Sequence, residues 1–225
     1  MRRAILVSVA SVLGIVALMA PVSFAQSSGS FNFSSNPMAC VLNSSNGALS
    51  GGVGGTVTTL KTTMKTSGGN GNVFVVNPSA VVGLLTNVTI NSKQASSSAQ
   101  AGVDFQVTVT PLSNQPDPVV IPSAPVTYAD RFIQISSNLF TAISTQCLAV
   151  DPTNGCFITF NESTLSAHSF NWVVTNLQTG SYGLTVTWTP STLVQGIGST
   201  ATCVGPVNLT VTQNKIFTPS TGISF

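Results

Sequence analysis

The chain has 225 residues, of which 43% are hydrophobic and only 5% carry a charge. Seven basic residues stand against five acidic ones, so the sequence cannot form the dense basic surface that neutralises nucleic-acid phosphates. Nucleic-acid binding is therefore excluded as a function. Electrostatic attachment to an acidic membrane surface is excluded for the same reason.

The first 25 residues have the pattern of a secretory signal peptide. Two arginines precede an uncharged apolar run over residues 4–20, and Ser23 and Ala25 are the small residues that a signal peptidase reads. Cleavage is expected directly before Gln26. Since the apolar run approaches the roughly 20 residues that span a bilayer, a retained anchor is the alternative.

Removal of the leader leaves five basic and five acidic residues, so the formal charge of the mature chain is zero. A neutral surface lacks the mutual repulsion that keeps protein molecules apart, and this permits self-association. We expect an exported protein, secreted or held at the cell surface, without a membrane span once the leader is gone. Its expected partners are further copies of itself or an extracellular protein or glycan.

The four cysteines fit an oxidising compartment and permit three pairings. Cys147 and Cys156 enclose an Asp-Pro and an Asn-Gly dipeptide, both strong turn signals, so the chain is expected to double back and join these two sulfurs. Elimination then pairs Cys40 with Cys203. A zinc site is the alternative, but the close Cys and His spacing that zinc requires is absent, and no cofactor is predicted.

Residues 26–55 are dominated by Ser, Asn and Gly and predict a flexible lead-in. The remainder, residues 56–225, is predicted to form one domain of strands, because apolar and polar residues alternate with a period of two. The clearest alternation covers residues 103–110, 182–189 and 207–212. Shorter strand candidates cover residues 57–60, 73–76, 84–90, 126–128 and 156–160.

Residues 168–175 also alternate, and a polar turn leads from them into the strand that begins near Tyr182. This pattern predicts a β-hairpin in which Val174 lies opposite Tyr182 and His168 lies opposite Trp188. The inward-facing side chains of the first hairpin strand would be His168, Phe170, Trp172 and Val174.

Two segments depart from the strand pattern. Residues 111–125 hold five of the twelve prolines and predict an extended loop or a crossover between sheets. Residues 130–144 place apolar side chains at helical spacing after Asp130, which predicts one short helix. The apolar positions are Phe132, Ile135, Leu139 and Ile143.

Strands separated by turn signals, without alternating helices, indicate an all-β fold. We expect an antiparallel β-sandwich, immunoglobulin-like or jelly-roll-like, with at most one short helix.

Candidate catalytic groups are few. His168 is the single histidine and its predicted inward position favours packing over catalysis. The five carboxylates fall on separate predicted elements, so no glycosidase pair is evident. Asp151, Asn154 and Glu162 could approach a calcium ion, but calcium takes about six to eight oxygen ligands, so no metal site is predicted.

The sequence therefore predicts a non-enzymatic β-sandwich module that acts in adhesion, coat or filament assembly. The alternative is an extracellular carbohydrate-binding or small-ligand-binding module, for which Trp172, Trp188 or Tyr182 would have to face solvent. A secreted hydrolase centred on His168 is the third hypothesis.

The leader assignment makes a direct prediction. Intact-mass measurement of exported protein should give a chain that begins at Gln26 or within one or two residues of it, because Ser23 and Ala25 satisfy the small-residue rule. An exported chain that still carries residues 1–25 would contradict the assignment.

Overall fold

The computed structural model describes residues 30–52, 58–67, 71–91, 96–140 and 156–216. The predicted leader lies outside these ranges. The described residues contain twelve strands and one short 3₁₀ helix over residues 137–140. The strands are β1 (Phe31–Asn36), β2 (Cys40–Leu42), β3 (Leu49–Gly51), β4 (Thr58–Thr66), β5 (Asn72–Asn91), β6 (Ser96–Pro111), β7 (Val119–Ile121), β8 (Val126–Ser136), β9 (Phe157–Ser169), β10 (Trp172–Thr175), β11 (Gly180–Gln195) and β12 (Ile197–Lys215).

The strands form two large antiparallel sheets and one small hairpin. The first sheet has the order β1-β12-β5-β10-β7, and β9 pairs with β5 beyond the end of β10. The second sheet has the order β4-β11-β6-β8, and β2 pairs with β3. The predicted all-β antiparallel sandwich is thus confirmed.

The core lies between the two sheets and is built from the inward face of each strand. Every second residue is buried over residues 103–109 of β6 and residues 182–188 of β11, as the period-two pattern requires. The aromatic ring of Phe105 stacks on that of Tyr128 at 4.0 Å and on that of Trp188 at 5.7 Å. Aromatic contacts of this kind add to the stabilisation that burial itself provides.

Strand β5 passes through a proline, which is unusual for a strand paired on both sides. Pro78 lies between residues 74–76, which pair with β10, and residues 79–91, which pair with β9. The proline therefore falls where one neighbour ends and the other begins, so its missing N–H breaks no ladder there. The two strand candidates predicted at residues 73–76 and 84–90 are consequently one continuous strand.

The predicted hairpin between residues 168–175 and the strand at Tyr182 is wrong. Strand β10 pairs with β5 and β7 in the first sheet, whereas β11 pairs with β4 and β6 in the second. The intervening turn therefore crosses between the sheets, and Trp172 and Trp188 belong to opposing sheets. His168 lies opposite Ala80, and Phe170 remains 41% exposed.

The predicted helix over residues 130–144 is wrong for residues 130–136, which belong to a strand, whereas a short 3₁₀ helix is present over residues 137–140. Residues 126–136 form β8, which pairs with β6 at the edge of the second sheet. The β-branched and aromatic residues of this segment suit a strand, and an available sheet edge decides between the two periodicities. Residues 141–144 lie outside the described ranges. The proline-rich segment behaves as predicted, because it leaves the second sheet after β6, adds β7 to the first and returns as β8.

The described part of the predicted lead-in, residues 30–52, contains three strands. Strand β1 pairs along the edge of β12, and β2 and β3 form a hairpin. The predicted disulfide between Cys40 and Cys203 is confirmed and joins this hairpin to β12. Composition alone predicted coil because it does not account for the edge of β12 or for the disulfide, which hold this segment in place. The predicted Cys147–Cys156 bond stays a prediction, because Cys147 lies outside the described residues.

Close packing around the disulfide requires a glycine in β5. A Cβ atom added at Gly83 would lie 2.8 Å from Cys40 Sγ, 2.9 Å from Leu49 Cδ2 and 3.3 Å from Cys203 Sγ. The hairpin can lie against the first sheet only because Gly83, which pairs with Cys203, has no side chain.

We therefore expect Gly83→Ala to lower the free energy of unfolding by about 1–3 kcal/mol, the usual cost of overpacking. Gly183→Ala is the matched control, since it also lies inside a strand and its added Cβ meets nothing closer than 3.3 Å. Denaturant unfolding of both variants tests the prediction, and equal losses of stability would show that the hairpin does not constrain β5.

Candidate functional site

The sandwich has two sides on which edge strands of the two sheets approach each other. We call these the β1/β4 seam and the β8/β9 seam. Neither strand pair shares a backbone ladder. The contacts that close each seam therefore involve side chains, and these side chains are the candidates for a functional site.

Asn32 closes the β1/β4 seam with both ends of its side-chain amide. Its Nδ2 donates to the carbonyl oxygen of Thr63 in β4, and its Oδ1 accepts the backbone N–H of Phe33 at 2.8 Å. Ser30 Oγ extends the seam by donating to the carbonyl oxygen of Lys65 at 3.3 Å. The Asn32 amide thus occupies the place that a peptide group of an additional strand would fill.

Backbone direction shows which groups of β1 are available at its free edge. The N–H of Gln213 in β12 donates to the carbonyl oxygen of Ser30 at 2.9 Å. Since neighbouring residues of a strand direct their backbone groups to opposite sides, Phe31, Phe33 and Ser35 direct theirs away from β12. The N–H of Phe33 is therefore an edge donor that Asn32 covers.

The side chains of β1 alternate in the reverse sense from a typical edge strand. Phe31 and Phe33 are 60% and 63% exposed, and their rings stack at 6.3 Å with planes 27° apart. The intervening residues are polar and half-buried. Strand β1 therefore adds no apolar side chain to the core and presents two aromatic rings to solvent.

A groove with a volume of about 490 Å³ lies along this seam. One wall is formed by Ser30, Phe31 and Asn32, and the other by residues 63–67. The residues along the groove include one phenylalanine, one asparagine, several serines and threonines, and one lysine, Lys65.

The other edge strands of the two sheets carry features that discourage pairing with another chain. Charged side chains and prolines have this effect on sheet edges. Strand β7 is only three residues long and is flanked by Pro118 and Pro122. The charged or titratable edge residues are Lys61 and Lys65 in β4, Asp130 and Arg131 in β8, and Glu162 and His168 in β9. Strand β1 contains neither a charge nor a proline.

Arg131 closes the β8/β9 seam. Its Nη2 donates to Thr164 Oγ1 at 2.6 Å, and its Nε lies 3.6 Å from Glu162 Oε1. The arginine side chain is 13% exposed, whereas that of Glu162 is 58% exposed, so water weakens the ion pair. This arrangement ties the two sheets together and leaves Glu162 engaged in a structural contact.

His168 lies further along the same seam. Its Nε2 hydrogen-bonds to Ser166 Oγ at 2.6 Å, and its ring lies 6.2 Å from that of Tyr128. Within the described ranges, no carboxylate hydrogen-bonds to His168, and the Ser–His–Asp arrangement of hydrolases requires one. Burial raises the pKa of Tyr128, whose hydroxyl donates to the carbonyl oxygen of Pro78 at 2.7 Å, so this neighbour remains neutral.

The three aromatic residues predicted as ligand contacts all lie in the core. Trp172, Trp188 and Tyr182 have no exposed surface, so the condition on which a binding role depended is not met. The exposed aromatic rings are elsewhere, and Phe31 and Phe33 are the pair that stacks. Sequence reasoning missed them because they fall in the predicted lead-in, although their i, i+2 spacing was visible.

Two carboxylates of the described chain accept hydrogen bonds from neighbouring side chains. Asp104 accepts the hydroxyl of Thr127 at 2.6 Å, and Asp130 accepts the side-chain amide of Gln100 at 3.0 Å. In the part of the chain that the structure describes, no group of three or more His, Cys, Asp or Glu residues could hold a metal ion. Asp151 and Asn154, considered above as calcium ligands, lie outside that part.

No protein-family model matches the chain, and no curated protein matches its sequence.

The Asn32 bridge predicts a local effect on strand β1. We expect Asn32→Ala to lower the free energy of unfolding by about 1 kcal/mol, because two hydrogen bonds are lost at a site that water can reach. Hydrogen exchange at the Phe33 amide should accelerate at the same time. Ser35→Ala, which changes an exposed side chain of the same strand, is the control, and equal exchange rates in both variants would contradict the bridge.

Proposed function

We propose that this protein is an exported, non-enzymatic β-sandwich module that acts by assembly, as a component of an adhesin, a coat or a filament. The observation that supports this most strongly is the β1 edge. Phe31 and Phe33 lie exposed on a strand with no charge and no proline, in a chain whose formal charge is zero after leader removal. Unprotected edges and exposed apolar side chains both favour association.

The disulfide supports export. The bond between Cys40 and Cys203 requires an oxidising environment, which extracellular and periplasmic compartments provide. Across the described ranges, no helix has the length and apolarity needed to cross a membrane. After export, a neutral surface hydrated by Ser, Thr and Asn would permit close contact between many copies of the protein.

A carbohydrate-binding or small-ligand-binding module is the second candidate, and the groove along the β1/β4 seam favours it. Its volume of about 490 Å³ falls within the range of roughly 300–1,000 Å³ that small-molecule sites occupy. Phe31 could stack on a sugar ring, while Asn32 could bond to its hydroxyls.

Light scattering of the chain from Gln26 onward, from micromolar to millimolar concentration, separates the two candidates. The assembly proposal expects a mean mass that rises with concentration. A constant monomer mass would count against it, and glycan-array binding that is lost in Phe31→Ala would then support the second candidate. A hydrolytic activity abolished by His168→Gln, with the fold unchanged by circular dichroism, would contradict both.

A further inference from the structure

We propose that β1 pairs with β1 of a second copy, antiparallel and across a two-fold axis at Asn32, so that the first sheets of two copies join into one. This inference rests on the proposed function and names the partner and the surface. It concerns the free edge of β1, a strand that carries no charge and no proline.

The backbone of β1 fixes the register of such a pair. The residues that direct their N–H and C=O groups to the free edge are Phe31, Phe33 and Ser35, as the hydrogen bond from Gln213 to Ser30 shows. In an antiparallel pair, two residues of this kind lie opposite each other and exchange two hydrogen bonds. A two-fold axis at Asn32 sets Phe31 opposite Phe33 of the second copy, and symmetry repeats the pair, giving four hydrogen bonds.

The side chains agree with this register. The two rings of each copy already stack on the outer face of the first sheet at 6.3 Å. Pairing places each Phe31 beside Phe33 of the second copy, so four rings form one cluster. Aromatic cross-strand pairs are among those that stabilise antiparallel sheets, and here both members are more than half exposed before association.

Charge does not oppose the approach. Strand β1 is uncharged, and the lysines across the seam, Lys61 and Lys65, belong to β4 of the second sheet. Those lysines alternate with Met64, whose side chain is buried in the core, so their own side chains leave the outer face of that sheet. They therefore point away from the face that carries the phenylalanine rings.

Asn32 competes with the second copy for a backbone hydrogen bond of β1. Its Oδ1 accepts the N–H of Phe33, which is the donor that a second copy needs. Association must therefore displace an intramolecular hydrogen bond at each of the two strands. Removal of this side chain should weaken the monomer and strengthen the dimer, an opposition that simple unfolding does not produce.

The contact is expected to be weak in solution. Two strands of six residues form a smaller interface than the roughly 1,200–2,000 Å² that stable complexes bury. An interface of this size belongs to the class of weak, transient contacts. Copies concentrated at a surface would associate to a greater extent than free ones, because their high effective concentration compensates for the low affinity of each contact.

Sedimentation or light scattering of the chain from Gln26 onward tests the inference with three variants. Phe33→Asp places a charge at the centre of the contact and should abolish association. Asn32→Ala should tighten it by about tenfold, since two competing hydrogen bonds are removed. Phe132→Asp is the matched control, because Phe132 is 57% exposed on β8 of the second sheet, and it should associate like the parent chain.

Each outcome decides a different point. Association that survives Phe33→Asp and does not respond to Asn32→Ala would place the interface elsewhere and overturn the β1 contact, while the proposed function would stand. Equal loss in Phe33→Asp and Phe132→Asp would show nonspecific association and overturn the contact as well. A parent chain that stays monomeric throughout would overturn both proposals. Concentration-dependent protection of the Phe33 amide from hydrogen exchange is the residue-level result that supports the pairing.

Discussion

The antiparallel pairing of β5 with β12 is the constraint on which the rest of the structure depends. Its register joins Thr89 to Ile197 at one end and Asn72 to Lys215 at the other, with one irregularity after Val204. Strand β12 offers its remaining edge to β1, and β5 offers its own to β9 and β10. Cys203, which forms the disulfide, and Gly83, against which the β2–β3 hairpin packs, belong to this strand pair. The β5–β12 ladder therefore positions the hairpin, the β1/β4 seam and strand β1.

Period-two alternation identified which side chains are buried but could not identify their sheets. Trp172 and Trp188 were both expected to face the core, and both do. In a two-layer sandwich, however, residues of neighbouring strands and residues of opposing sheets satisfy the same pattern. The choice between them depends on whether the turn before Tyr182 stays in one sheet or crosses to the other, and the turn sequence permits both. Fold class is therefore predictable here, whereas strand order is not.

The candidate site was missed for a related reason. Residues 31–36 have the composition of a linker, and only their contact with β12 makes them a strand. The alternation of Phe31 and Phe33 with Asn32 was visible in the sequence, but the sequence did not show which of the two sets faces the core. Aromatic residues on a strand are expected to face the core, and here the polar residues do. That inversion becomes visible only when the burial of both faces is known.

The inversion also links the stability of β1 to its availability. A strand whose inward side chains are Asn32, Ser34 and Asn36 is held by hydrogen bonds to β12 and by the seam, with no apolar anchor in the core. The apolar area of Phe31 and Phe33 contributes little to the folded monomer because it remains in water. It can contribute only when another surface covers it. Folding and association therefore draw on different side chains of the same strand, and Asn32, which bonds to β4 while covering the Phe33 N–H, is the residue at which the two compete.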